Sequence, residues 1–381
     1  MITTELKRII SERLQEQAPL IQVLLGPRQV GKTTTAKVIF DAWTGPKVMA
    51  TADSITPPNA EWIRFNWEQA RLKGPGTLLI FDEIQKVERW SEAIKSLFDP
   101  ERGTGRLKIL LLGSSSLYLK KGLGESLAGR FELLHAPHWS LADFQQEFGW
   151  DFDRFVRFGA YPGAAPFADD EARWRDYIRQ SIIEPVISRD ILGVSSVTKP
   201  ALFRQTFELA VQHPAQTLSL QKMLGQLQDR GNVSTIKHYL EILEQCFLIR
   251  TLQKYSGSAV QVRASIPKIV VLNPALTHAY ESQSRLSDSV WYGRVFESMI
   301  GAHLSRAAGC ELYYWREGNL EIDYVLKTPK GVIGIEIGVR EKPMRHKGMQ
   351  AFSKRFPKAQ VMMWNLEQGI EYLKSDPSSI L

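Results

Sequence analysis

Short, uniformly apolar runs separated by longer mixed stretches characterise the first third of the chain. The runs at residues 21–25, 77–81 and 107–112 have the length and composition of buried strands. The first run is followed at once by a loop that contains glycine and then by a helical pattern over residues 34–43. This order predicts an α/β fold built on a parallel sheet. No apolar run approaches the ~20 residues that a membrane-spanning helix needs.

The middle of the chain has a helical pattern. From Trp139 to about Asp190, apolar residues recur at intervals of three and four positions, which is typical of amphipathic helices. Residues 161–164 (YPGA) interrupt this pattern, and Pro185 predicts a kink or a helix boundary.

Residues 199–268 predict three short helices followed by two strands, which is the outline of a winged helix-turn-helix. We expect Ser219 and Ser234 to cap the second and third helices. The third helix would expose Lys237 and His238, but it also carries glutamates and no arginine. Since DNA readers usually offer Arg, Asn or Gln to base edges, the sequence favours a packing module over a DNA-binding one.

A helix and a hairpin bring acidic residues together near the C-terminus. The pattern over residues 293–309 predicts a helix that contains Glu297, and residues 311–338 predict three strands. A turn centred between Pro329 and Lys330 places Asp323 opposite Glu336. Alternation then puts both carboxylates on one face with Gly334 and Gly338, and the apolar side chains on the other: Ile322, Tyr324, Leu326, Ile335, Ile337 and Val339.

Two carboxylates that face each other across a hairpin repel unless a cation neutralises them. A divalent metal would do so, and Glu297 would supply a further oxygen ligand. The sequence therefore predicts a second candidate metal site at Glu297, Asp323 and Glu336.

Composition and charge add limited information. The chain has 381 residues, with 48 Lys and Arg against 41 Asp and Glu, and its net charge of +7 fits a polyanionic partner without requiring one. Cys246 and Cys310 form neither a metal-ligand spacing nor a disulfide framework, so we expect a cytoplasmic protein.

A basic run lies near the C-terminus, and Glu341 is the single acidic residue within it. The run is either a solvated helix face or a guide for a phosphate backbone. Its residues are Arg340, Lys342, Arg345, Lys347, Lys354, Arg355 and Lys358.

The loop after the first strand carries the strongest motif. Gly26, Gly31, Lys32 and Thr33 fit the phosphate-loop pattern G-x-x-x-x-G-K-[ST] between a strand and a helix. The glycines let backbone N–H groups surround phosphates, the lysine reaches the β- and γ-phosphates, and the threonine hydroxyl binds Mg²⁺. We expect the nucleotide to contact Gly26, Pro27, Arg28, Gln29, Val30, Gly31, Lys32, Thr33 and Thr34.

Acidic residues follow the second strand. Asp82 stands where phosphate-loop enzymes hold Mg²⁺ through water, and Glu83 resembles the carboxylate that activates the attacking water in hydrolytic members. After the third strand, Ser114 or Ser115 is a candidate sensor of the γ-phosphate. Arg130 either reaches a γ-phosphate, in its own subunit or in a neighbour, or caps a helix end.

These motifs resemble those of a prokaryotic group of predicted AAA-type ATPases that carry a C-terminal domain of unknown function. The shared elements are GPRQVGKTT, LLIFDEIQK, LLLGSSS and SLAGR, in this order. The resemblance implies an additional-strand P-loop fold, in which the sensor strand lies between the loop strand and the strand that ends in Asp82. It also implies ATP as the nucleotide and a helical lid and linker after the ATPase core.

The C-terminal helix and strands resemble the core of PD-(D/E)xK nucleases, a restriction-endonuclease-like α/β fold. In that fold the Asp and Glu hold Mg²⁺ and a lysine assists the attack on phosphate. Here Gly338 occupies the lysine position, and Lys327 and Lys342 are alternative sources of the charge. The resemblance therefore weighs against cleavage of nucleic acid.

We expect four domains: a P-loop core at residues 1–138, a helical lid and linker at 139–198, a winged-helix-like domain at 199–285 and a nuclease-like domain at 286–381. Three hypotheses follow, in decreasing order of support. The first is an ATP-driven switch that contacts an unidentified protein partner. The second is an ATPase stimulated by DNA or RNA, and the third is an ATP-gated nuclease. Arg130 acting on a neighbour would require an oligomer.

Overall fold

The computed structural model describes residues 4–54, 58–113, 124, 126–192, 197–226, 232–256, 266–281, 288–338 and 343–381. The chain divides into two compact units. Unit 1 comprises Met1–His138 and Ser188–Ser195, and unit 2 comprises Trp139–Ile187 and Ser196–Leu381. No helix in the described part of the chain combines the length and apolar character that crossing a bilayer requires.

Unit 1 is an α/β unit with a five-stranded sheet in which every adjacent pair of strands is parallel. Its elements are α1 (Thr4–Gln15), β1 (Ile21–Leu25), α2 (Lys32–Ala42), β2 (Lys47–Thr51), α3 (Ala60–Leu72), β3 (Thr77–Asp82), α4 (Trp90–Phe98), β4 (Leu107–Gly113) and β5 (Phe131–His135). The strand order is β2-β3-β4-β1-β5. The three apolar runs form β1, β3 and β4, and β4 lies between β1 and β3, so both predictions are confirmed.

The central strands of this sheet are buried along their whole length. Every residue of β1, β3 and β4 is buried, as expected for strands with helices packed on both faces. The carboxyl ends of parallel strands meet at one edge of a sheet, so the loop after β1 and the acidic residues after β3 lie at the same edge.

Unit 2 begins with helices, as the pattern from Trp139 predicts. They are α5 (Leu141–Phe148), α6 (Phe152–Phe158) and α7 (Glu171–Tyr177), with a 3₁₀ turn at Pro162–Phe167 that begins within the YPGA sequence. The chain after α7 continues through two π-helical segments, Ile178–Ile183 and Val186–Ile191. Pro185 lies between these segments in α-helical geometry, so the helix does not end there, and the kink stays a prediction.

The predicted helices and strands of the middle region are present in the described residues. They are α8 (Pro200–Gln212), β6 (Gln216–Thr217), α9 (Leu220–Gln226), α10 (Val233–Gln245), β7 (Ile249–Leu252), β8 (Lys268–Val271) and α11 (Pro274–Ala279), with the antiparallel sheet order β6-β8-β7. The expected cap at Ser234 is wrong. Asn232 caps α10 instead, because its side-chain oxygen accepts from the backbone of Thr235 at 2.8 Å. The winged-helix assignment stays a prediction.

A four-stranded mixed sheet forms the rest of unit 2. Its elements are α12 (Ser289–Leu304), β9 (Glu311–Glu317), β10 (Leu320–Thr328), β11 (Gly331–Gly338), α13 (Pro343–Arg355), β12 (Gln360–Asn365) and α14 (Leu366–Lys374), in the sheet order β12-β11-β10-β9. The hairpin β10–β11 pairs Tyr324 with Ile335 and Thr328 with Gly331, which is the predicted register.

The predicted alternation of side chains along β10 is wrong at Ile322, whereas Tyr324 stays on the face of its partner Ile335. The pairing of β10 with β9 shifts between Ile322 and Val325, so these two residues pack in one cluster with Phe352. Gly334 approaches the same cluster, and Tyr324 instead donates from its hydroxyl to the Glu297 carbonyl oxygen at 2.7 Å. This β-bulge therefore places Tyr324 and Ile322 on different faces.

Candidate functional site

The loop between β1 and α2 has the backbone that its glycines permit. Gly31 has a φ of 94°, in the left-handed region that favours glycine, and it directly precedes α2. A Cβ atom at Gly26 would collide with the carbonyl oxygen of Ala136, so only glycine allows this approach. The chain can therefore turn sharply from the end of β1 into the N-terminus of α2, where helix N–H groups favour anions.

Lys32 is folded into this loop. Its side chain is 6% exposed, and its ammonium donates to the carbonyl oxygens of Gly26 at 2.9 Å and Pro27 at 2.6 Å. The two carbonyls hold the positive charge at the loop, beside the first turn of α2. A phosphate group placed on the helix N-terminus would lie within reach of this ammonium.

Thr33 and Asp82 meet at the edge of the sheet. The Thr33 hydroxyl donates to Asp82 Oδ2 at 2.8 Å, which joins the start of α2 to the end of β3. Hydroxyl and carboxylate oxygens are hard ligands that suit Mg²⁺, which proteins usually bind through one or two such groups together with substrate phosphates. These two residues therefore fit a magnesium ion that is shared with a nucleotide.

Glu83 follows Asp82 in an unusual backbone conformation. Its φ is 54°, which is in the left-handed region and costs on the order of 1 kcal/mol for a residue with a side chain. A short 3₁₀ turn at Ile84–Lys86 follows, and the side-chain amide of Gln85 donates to the Glu83 carboxylate. The carboxylate is thus held at the same edge of the sheet as Lys32, Thr33 and Asp82.

An ion pair that the sequence analysis missed lies close to this edge. Lys86 forms a salt bridge with Asp53, which follows β2. The hydrogen bond and charge of Lys86 lower the pKa of Asp53, and the charges of Arg28 and Arg189 lower it further. Three cations of unit 1 therefore act on one carboxylate beside the phosphate loop.

The remaining candidates of unit 1 are the proposed sensors Ser114 and Ser115 and the arginine Arg130. Ser114 and Ser115 lie outside the described residues, although β4 ends at Gly113, directly before them. Arg130 forms an ion pair with Asp99 and donates to the Ala128 carbonyl oxygen at 3.0 Å. Both contacts hold the Arg130 guanidinium against neighbouring segments of unit 1. Its action on a γ-phosphate stays a prediction.

Lys268 of β8 lies between two of the three carboxylates singled out in unit 2. Its side chain is 5% exposed, and its ammonium forms an ion pair with Glu297. The ammonium also donates to the Asp323 carbonyl oxygen at 3.0 Å and lies 3.5 Å from Asp323 Oδ1. Although burial opposes its charge, the two carboxylates hold the pKa of Lys268 well above its usual value.

The three carboxylates do not form the metal site that the sequence predicts. No group of three or more His, Cys, Asp and Glu side chains within the described ranges is placed to hold a metal ion. Asp323 Oδ2 instead accepts from the backbone of Ile337 at 2.8 Å, and Glu336 accepts from the backbone of Asp323 at 3.3 Å. Burial and the charge of Asp323 raise the pKa of Glu297 to about 8. An ammonium group and backbone N–H groups therefore take the place of a divalent cation.

Among the described residues, the lysine that contacts these carboxylates is Lys268 and not Lys327. Lys327 forms an ion pair with Glu311 at 3.0 Å, and Lys342 lies outside the described residues. No local sequence signal points to Lys268, which lies 55 positions before Asp323 and on a different sheet.

Helix α10, the proposed recognition helix, faces a groove with mixed charge. Lys237, Glu241 and Glu244 line this groove of about 690 Å³, together with residues of β7 and β9. Glu244 accepts a hydrogen bond from the Thr251 hydroxyl at 2.7 Å. Carboxylates on the exposed face of α10 are unfavourable beside a DNA backbone.

Helix α13 carries a more uniform charge. Lys347, Lys354 and Arg355 are exposed, as is Lys358 directly after the helix, and none of the four forms an ion pair with a described residue. The opposite side of the helix contributes Phe352 to the core. We call the surface formed by Lys347, Lys354, Arg355 and Lys358 the α13 basic face. Arg340 and Lys342, which also belong to the predicted basic run, lie outside the described residues.

Comparisons with known proteins divide the chain into three segments. A family model described as an AAA domain matches residues 18–145. Two domains of unknown function match the remainder, DUF8612 at residues 149–287 and DUF4143 at residues 292–374.

Proteins of two organisms are similar to this chain over most of its length. An uncharacterized protein of Mycobacterium tuberculosis is 26% identical in an alignment of 351 residues that covers 89% of this chain and 74% of that protein. An uncharacterized protein of Methanocaldococcus jannaschii is 24% identical in an alignment of 270 residues that covers 65% of this chain and 58% of that protein. Among solved structures, the Walker-type ATPase of Pyrococcus abyssi matches 74% of this chain and 96% of its own, with a TM-score of 0.49 and 14% identity.

The resemblance to predicted AAA-type ATPases is thus confirmed for the segment that carries the phosphate loop, whereas the nuclease resemblance stays a prediction. Residues 18–145, which carry the phosphate loop, are therefore similar to AAA domains, and two segments that match domains of unknown function follow them.

Proposed function

We propose that the chain binds ATP with Mg²⁺ at the carboxyl edge of the unit 1 sheet and hydrolyses it. The loop amides and Lys32 hold the phosphates, and Thr33 and Asp82 hold the metal ion, which neutralises phosphate charge when bound. Glu83 orients and deprotonates the attacking water. We retain Ser114 or Ser115 as γ-phosphate sensors and Arg130 as a residue that reaches the phosphate of its own or a neighbouring subunit.

One observation carries this proposal. Lys32 and Thr33 come from the start of α2, and Asp82 and Glu83 come from the end of β3, yet Thr33 bonds directly to Asp82. A phosphate cradle, two oxygen ligands for Mg²⁺ and a carboxylate are the parts that nucleotide hydrolysis requires, since positioning and charge neutralisation do most of the work.

We propose further that the bound nucleotide acts as a switch for a protein partner. Asp53 is held by Lys86 and is also influenced by Arg28 and Arg189. The phosphates of ATP would compete with Asp53 for these cations. Arg189 lies in the helical segment Val186–Ile191, whose first residues belong to unit 2, so a change in its contacts can be transmitted along one continuous segment.

Hydrogen exchange of the full chain tests both steps in one experiment. With Mg²⁺ and a non-hydrolysable ATP analogue, we expect slower exchange at residues 26–33 and 82–86 because the ligand orders them, and altered exchange at residues 171–192. ADP is the comparison, since it lacks the γ-phosphate. Unchanged exchange at the loop would contradict nucleotide binding, and a change confined to the loop would contradict the switch.

The α13 basic face favours a second candidate function, an ATPase stimulated by nucleic acid. Lysine and arginine side chains that form no ion pair with any described residue are available to phosphates, and each phosphate contact adds to the salt dependence of binding.

Replacing Lys354 and Arg355 together by Ala should then weaken DNA or RNA binding and lower the slope of affinity against salt by about one per lost contact. The control replaces Lys330 and Lys374, whose ammonium groups are already bound to the Leu381 carbonyl oxygen and to Glu371. Absence of binding at low salt, or equal losses in both double variants, would exclude this function for the α13 basic face.

A further inference from the structure

Gln85 lies in the turn that follows β3, two residues after Glu83. Its side chain is 8% exposed, and its amide nitrogen donates to a Glu83 carboxylate oxygen. A carboxylate can only accept hydrogen bonds, so the amide must present its NH₂ group to Glu83, and its orientation is fixed by chemistry. The buried amide therefore holds an acidic side chain that is itself partly exposed.

Contacts of Ile84 and Lys86 hold the backbone of the turn around Gln85. The Ile84 side chain is fully buried, and the Lys86 backbone donates to the Glu83 carbonyl oxygen at 3.0 Å. The Lys86 side chain is bound to Asp53. With the backbone held in this way, the direction of the Glu83 carboxylate depends on its side-chain torsions, and Gln85 restricts these torsions.

We propose that Gln85 is a positioning residue that holds the Glu83 carboxylate in the orientation from which it activates the attacking water. This inference rests on the proposed function. Gln85 donates to one oxygen of this carboxylate and so restricts the direction in which the carboxylate faces the water. Catalytic groups lose efficiency when they move by a fraction of an ångström, so a buried restraint on the base affects the chemical step more than nucleotide binding.

The test compares two buried glutamines of unit 1. Gln22 on β1 is also fully buried and donates to a glutamate, Glu132, at 2.7 Å, but it lies within the strand and not at the carboxyl edge. We expect Gln85→Met to lower kcat for Mg-ATP about tenfold, which corresponds to one hydrogen bond, with KM within about twofold of wild type. Gln22→Met should leave kcat and KM unchanged.

A second variant covers the case in which Gln85→Met does not fold. Gln85→Glu keeps the size of the side chain but cannot donate while ionised and repels Glu83, so kcat should fall at least as far. Equal effects of Gln85→Met and Gln22→Met, parallel changes in kcat and KM, or wild-type kcat in Gln85→Glu would overturn the proposal.

Glu83→Gln separates this inference from the function on which it rests. An inactive Glu83→Gln variant beside a fully active Gln85→Met variant contradicts the role of Gln85 alone. A fully active Glu83→Gln variant contradicts the assignment of Glu83 itself.

Discussion

Glu83→Gln is expected to lower kcat for ATP by about 10²- to 10⁴-fold, which is the usual contribution of a general base. The amide has nearly the same shape as the carboxylate but cannot accept the proton of the attacking water. Nucleotide affinity should stay near that of wild type, because Lys32, Thr33 and Asp82 are unchanged. Single-turnover hydrolysis and direct nucleotide binding measure the two quantities separately.

The matched control is Glu88→Gln. Glu88 lies five residues further along the same connection between β3 and α4, and it is exposed. Its replacement removes the same charge without touching the carboxyl edge of the sheet, so turnover should be that of wild type. Equal turnover in Glu83→Gln and wild type would show that another group activates the water.

Lys268→Met is expected to destabilise unit 2 by about 3–5 kcal/mol, because it removes the cation from a buried group of charges. Methionine fills a similar volume, so lost packing contributes little. The Glu297 and Asp323 carboxylates would then lack the ammonium that contacts both of them. Hydrogen exchange of the β8, β10 and β11 amides in the full chain measures the opening free energy of this region.

Lys108→Met provides the comparison for a buried lysine that forms no salt bridge with a described residue. The Lys108 ammonium donates to the backbone carbonyl oxygens of Glu16 and Gln17, so its loss leaves no unpaired charge and should cost about 1–3 kcal/mol. Adding Asp323→Asn to Lys268→Met should restore part of the lost stability. A cost no larger than that of Lys108→Met, with no recovery in the double variant, would contradict the assignment of Lys268 as the internal cation.

The phosphate loop was predictable because its chemistry is contiguous. Strand, glycines, lysine and threonine follow one another within a few residues, and the sheet then brings Asp82 and Glu83 to the same edge by a general rule of parallel topology. The ion pair of Asp53 with Lys86 joins two strand ends that are 33 positions apart, so no local pattern marks it.

The carboxylates of unit 2 show where sequence patterns stop being informative. The hairpin register was predictable from the turn, but the bulge at residues 322–325 moves Ile322 to the face of Gly334 and breaks the alternation. A cation near Asp323 was expected from electrostatics alone. That the cation is Lys268 depends on how β8 lies against β10 and α12, which is a property of tertiary packing.

The central claim is that the edge of the unit 1 sheet hydrolyses ATP with Mg²⁺. The most direct measurement is steady-state ATP turnover of the full wild-type chain, once with Mg²⁺ and once with EDTA, beside the Glu83→Gln variant. We predict turnover that requires Mg²⁺ and is lost in Glu83→Gln. Turnover that persists in EDTA, or is undiminished in Glu83→Gln, would contradict this account of the site.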